Sequence, residues 1–171
     1  MILELKIPHE GDIAALIPLI PKFLSYVFSF VFIGIYWNNH HHILQAAKQV
    51  NGAVLWANLH LLFWLSMVPF VTGWMGENNF ATIPVAVYGF VLLLSGLAFF
   101  ILVRTLVAHH SADSVIAHVL SEDKKGMYAL VIYIVAIPLS FASAWIAVAM
   151  YVAVSITYLI PDKRIKKKLA E

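Results

Sequence analysis

Residues 127–160 read MYALVIYIVAIPLSFASAWIAVAMYVAVSITYLI, 34 residues without an Asp, Glu, Lys, Arg or His. As one helix this run would be about 51 Å long, against a bilayer hydrocarbon core of roughly 30 Å. It therefore has to fold back on itself. The expected bend is Pro138-Leu139-Ser140-Phe141-Ala142-Ser143, where the proline ring removes a backbone donor and small hydroxyl side chains can satisfy the groups set free. Two short membrane helices follow, near 127–140 and 144–160.

Upstream, charged residues bound three further apolar segments. Lys22 and His40 enclose Phe23–Asn39, Lys48 and Glu77 enclose one titratable group (His60), and Glu77 and Arg104 enclose none. Spans are expected near 22–42, 53–74 and 80–106. The chain is 62% hydrophobic and 12% charged, with a mean hydropathy of +0.87. A water-soluble domain of 171 residues could not carry that composition without a large apolar patch on its surface. The expectation is an all-α integral membrane protein forming one transmembrane domain over 1–171. It has no cysteine, which excludes disulfides and thiolate metal sites.

Basic residues near span ends stay in the cytoplasm. One side of the bundle collects Lys48, Arg104, Lys124, Lys125 and the tail run Lys163, Arg164, Lys166, Lys167 and Lys168; the other has Lys6 and Lys22. Nine against two places the 40–49 and 108–125 loops and the tail from residue 161 in the cytoplasm. Residues 8–21, 74–79 and the Ser140 bend then face outward. The basic tail is accounted for by this anchoring, and no nucleic-acid partner is expected.

Met1–Ile7 reads as the end of a helix stopped by Pro8, yet seven residues span only about 10 Å. It lacks the basic start and small-residue cleavage site of a signal peptide. With five full spans and a cytoplasmic carboxyl end, this stub enters from outside. The expectation is a chain that begins partway through its first transmembrane helix.

Little in the sequence looks enzymatic, and no cofactor is expected. His40-His41-His42 follows Tyr36-Trp37 at a cytoplasmic helix end, where cationic side chains suit the negative helix terminus. An interfacial cap and a place in a buried polar network both fit. Consecutive histidines point about 100° apart on a helix, so a metal would need ligands from elsewhere. His109, His110, His118 and Asp113 read as a solvated loop surface. His60 lies inside a span with Trp56 and Trp64 at i−4 and i+4; such intramembrane polar groups are costly and usually face the bundle interior, bonded to a neighbouring helix. A bis-histidine haem would need a second histidine at matching depth, and the other spans have none.

The runs MILELKIP (1–8), PKFLSYVFSFVFIGIYWNNHHHIL (21–44), VLWANLHLLFWLSMVPFVTG (54–73) and YLIPDKRI (158–165) resemble the bacterial members of the transmembrane protein 175 family. These are homologues of the lysosomal potassium channel. The most telling pieces are Tyr36-Trp37 followed by His40, Asn58 with Leu61 and Leu62, and Pro69-Phe70. The resemblance implies a six-helix family fold, here five complete spans plus the truncated end of helix 1, a homotetramer around one axis, and selective passage of the potassium ion across the bilayer of the cell membrane. The family's arginine and Phe-Ser-Asp signature at the start of helix 1 is absent. Helix 1 lines the path with large apolar side chains, and ions pass a hydrophobic constriction in place of a carbonyl filter. Leu3 matches the outermost of these pore-lining positions. Trp37, His40 and Asn58 match positions that support helix 1 through polar contacts.

Two other readings stay open on the residues alone. One is a non-conducting membrane scaffold or partner subunit; the other is a small-solute or proton transporter that uses His60. An in-frame Phe-Ser-Asp within about 15 residues upstream, the distance needed to complete a span, would favour the channel.

Overall fold

The structure is a computed structural model that describes residues 12–47, 50–108 and 124–159. All regular structure among them is helical. A 3₁₀ stretch, Ile13–Leu19, leads into α1 (Ile20–Ala46), followed by α2 (Gly52–Glu77), α3 (Thr82–Ala108), α4 (Lys124–Leu139) and α5 (Ala144–Leu159). Helix ends differ from the bounds expected from hydropathy by four residues or fewer. The largest difference is at α1, which continues through His41 and His42 to Ala46, because backbone helix does not stop where the apolar segment stops. Met1–Ile7, the 109–123 loop with its histidines and the basic tail lie outside the described residues.

Local chemistry sets the boundaries. Asn51 caps α2, its side-chain oxygen accepting from the Val54 backbone N–H at 3.0 Å, as N-cap residues do. The α2–α3 turn puts Asn79 (φ 50°) and Phe80 (φ 57°) in the left-handed region, strained for a non-glycine residue. Two features hold it: the Phe80 N–H donates to the Met75 carbonyl at 3.0 Å, and the Phe80 ring packs 5.0 Å from that of Trp145. At the other tight turn α4 ends just after Pro138. The Ser143 N–H donates to the Leu139 carbonyl at 2.9 Å, and the buried Ser140 hydroxyl donates to the Ile137 carbonyl at 2.6 Å.

Helix lengths fall into two classes. The 26 residues of α2 and 27 of α3 make about 40 Å each, and both are long and apolar enough to cross a bilayer. The 16 residues of α4 and 16 of α5 make about 24 Å each. They form a short hairpin packed on α3.

The centre of the bundle is α3, which contacts α2, α4 and α5. On α2 the buried residues Val54, Ala57, Leu61, Leu65, Val68, Thr72 and Met75 recur every three or four positions, the stripe of a helix with one packed face. Two apolar clusters result. One joins Val68, Val71, Tyr88, Leu92, Tyr133 and Tyr151; the other joins Val54, Leu61, Ala98, Leu102 and Leu106. Tyr36 of α1 touches both, with its ring 5.4 Å from Phe32 and 6.0 Å edge-on to Phe99. Small residues on α3 let the hairpin close in: a Cβ at Gly96 would sit 2.9 Å from Leu130 Cδ2.

Candidate functional site

The short connection between α1 and α2 sends the second helix back along the first. His40 lies six residues before the end of α1 and Asn58 six residues after the start of α2, so the two stand at one depth. They meet. His40 Nε2 is 2.6 Å from Asn58 Oδ1; the amide oxygen accepts, so the imidazole donates from Nε2. Both residues are half-buried, in a setting where loss of one partner strands the other.

Trp37 does not join this pair. It is 62% exposed and stacks on His41, with ring centroids 5.4 Å apart and planes 14° from parallel. The reason is helical geometry: a residue four positions on lies almost directly above, while one three positions on is rotated to the side. Asn39, adjacent to the pair, donates instead to the Ile35 carbonyl of its own helix at 3.1 Å.

His60 departs from the expectation of a bond to a neighbouring helix. It is exposed on the described subunit, and Trp64 Nε1 donates to its Nε2 at 2.9 Å within α2. The acceptor role puts the ring proton on Nδ1. Satisfying the imidazole from four residues along the same helix needs no second element. Trp56, on the other flank, is 74% exposed. Two residues along a helix is a turn of about 200°, so Asn58 faces α1 while His60 faces away from it.

Along their length α1 and α2 present wide apolar faces. Phe23, Phe30 and Trp37 of α1, and Leu55, Trp56, Phe63 and Phe70 of α2, are all more than half exposed. Such faces suit lipid or other helices. Leu3, the pore-lining candidate, lies outside the described residues. Among the described residues no group of three or more His, Asp or Glu could hold a metal ion. Sequence reasoning noted Tyr36 but missed its packing role, which ties both clusters to the α1 end; its tyrosine-before-tryptophan position looks interfacial in sequence, and only packing shows it turned inward.

The family model described as "Endosomal/lysosomal potassium channel TMEM175" matches residues 1–69. A potassium channel of Chryseobacterium sp. (strain P1-3) is 46% identical over 171 residues, which covers 100% of this chain and 89% of that protein. A potassium channel of Chamaesiphon minutus is 27% identical over 94% of this chain and 85% of its own length. The crystal structure of a lysosomal potassium-selective channel TMEM175 homolog from Chamaesiphon minutus superposes with a TM-score of 0.74 at 28% identity, covering 92% of this chain and 86% of that one.

Proposed function

The chain belongs to the TMEM175 potassium-channel family, a family of membrane channels and not of enzymes, and from that premise we propose that it is a subunit of a homotetrameric potassium-selective channel. The observation that carries this is the 46% identity running the full 171 residues against a potassium channel. In the proposed assembly the path lies on the axis between four copies. Large apolar side chains on the first helix form the constriction, with Leu3 as its outermost member. Such a gate controls conduction by how readily it wets. The paired His40 and Asn58, with Trp37 one turn away, support the first helix at its cytoplasmic end. The protein sits in the cell membrane with its carboxyl terminus in the cytoplasm, the side that gathers nine of the eleven Lys and Arg residues.

Two measurements on one preparation test it. Light scattering in mild detergent should give the mass of four subunits, and, for a chain that carries the complete first helix, liposomes loaded with potassium should release it faster than sodium. A monomer or dimer overturns the axial pore. A tetramer without flux favours the non-conducting scaffold instead.

A further inference from the structure

A cavity of about 280 Å³ opens between α1, α3, α4 and α5, with neither His40 nor Asn58 in its lining. Its two ends differ in chemistry. Deep in the bundle the wall is Phe32, Ala129 and Tyr133, all buried, with Gly96 beside them. Toward the ends of α1 and α3 the wall becomes Asn39 and the exposed Arg104, facing Gly126 in the first turn of α4. Alternating helix direction brings the carboxyl ends of α1, α3 and α5 and the amino end of α4 to one side. Among the described residues that side carries Arg104, Lys124 and Lys125, and Lys22 lies toward the other end.

Arg104 holds its guanidinium 5.0 Å from the centre of the Phe100 ring. The carboxylates among the described residues are Asp12, before α1, and Glu77, at the end of α2; both belong to the opposite end of the bundle. The mouth therefore combines a cation lacking a carboxylate partner among the described residues with an apolar recess behind it. A soluble anion would satisfy the cation and leave the recess unused. An uncharged acyl chain would do the reverse.

We propose that this cavity takes the headgroup-proximal part of one acyl chain of an anionic phospholipid from the adjoining leaflet, with the headgroup phosphate on Arg104. Basic pockets between transmembrane helices on the cytoplasmic side suit anionic headgroups, and the guanidinium fork can bond two phosphate oxygens at once. Cation–π contact with Phe100 pre-orients the fork. The site lies within one subunit and does not depend on whether the protein conducts.

The test uses the purified full chain, delipidated by detergent exchange, with melting followed by tryptophan fluorescence and bound lipid counted by native mass spectrometry. Dioleoylphosphatidylglycerol at a hundredfold excess over its Kd should raise the melting temperature by about 5–10 °C. Dioleoylphosphatidylcholine and inorganic phosphate at the same concentration should give no comparable shift. R104Q should weaken phosphatidylglycerol binding about fivefold, R104K should keep the preference for the anionic lipid, and A129L, which fills the recess, should lower affinity with the charge intact. Equal shifts from both lipids, or a shift reproduced by phosphate alone, overturn the proposal. So does unchanged affinity in R104Q or, if that variant does not fold, in A129L.

Discussion

Tyr151 of α5 lies across Gly89 of α3, its hydroxyl donating to the Val85 carbonyl at 3.4 Å. A Cβ built at Gly89 would stand 2.6 Å from Tyr151 Cζ and 3.1 Å from Ile137 Cγ1, so the glycine is what lets the hairpin of α4 and α5 close on α3. Gly89→Ala should therefore overpack the core at a cost of about 1–3 kcal/mol, read as a lower melting temperature in detergent. Tyr151→Phe gives up only one long hydrogen bond and should cost less than about 1 kcal/mol. In a Tyr151→Leu background the penalty of Gly89→Ala should shrink, since the obstructing ring is gone. An equal penalty in both backgrounds would place the clash elsewhere.

The His40–Asn58 bond joins two helices at 2.6 Å, and each single deletion leaves a half-buried polar group without its partner. His40→Ala and Asn58→Ala should each destabilise the protein by about 1–3 kcal/mol. The double variant should cost clearly less than the sum, because the second deletion removes a group already stranded. If the pair supports the first helix, both variants, in a chain that carries that helix complete, also lower potassium flux in liposomes. Additive losses would mean that the bond contributes nothing of its own.

Resemblance singled out both members of this pair together with Trp37, and two positions equidistant from a short loop between antiparallel helices lie side by side, whereas Trp37 stacks on His41 instead. The hairpin was legible as well: Pro138 within an apolar run too long for one span left no other solution. The direction of His60 was not. On a helix that is apolar nearly all round, periodicity gives no inward face, and Trp64 offered a partner that made burial unnecessary. Nor could sequence show that α3 is central: it is the more apolar of the two long helices, yet a lipid-facing helix can be as apolar as a buried one, so hydropathy does not say what packs around it. The cavity near Arg104 arises from four helix ends far apart in the chain, a relationship that no spacing rule contains.

The proposed orientation rests on charge. Among the described residues Arg104, Lys124 and Lys125 stand at one end of the bundle and Lys22 toward the other, and translocating a basic cluster is disfavoured. A carboxyl-terminal alkaline phosphatase fusion, active only outside the cytoplasm, should be silent, and a green fluorescent fusion at the same point should be bright. The reversed result would invert the whole topology.

The last prediction separates the pore from a histidine-based transport path. Trp64 Nε1 donates to His60 Nε2 at 2.9 Å, the indole ring also stands edge-on to Phe90 at 6.5 Å, and the histidine is exposed beside apolar neighbours. Phenylalanine at 60 would forfeit one neutral hydrogen bond, worth about 0.5–1.5 kcal/mol, and leave the Trp64 N–H to find another acceptor. It would also remove a polar ring from an apolar face, which offsets part of the loss. His60→Phe should thus shift stability by less than about 1 kcal/mol, well short of His40→Ala, and, in a chain that carries the complete first helix, leave potassium flux near that of the unaltered protein. A transporter that moves protons or solutes through His60 predicts the opposite, since phenylalanine can neither accept nor release a proton. Flux and melting temperature measured side by side for His60→Phe and His40→Ala decide between them: abolished flux in the first with normal behaviour in the second would put the functional site on the outer face of α2.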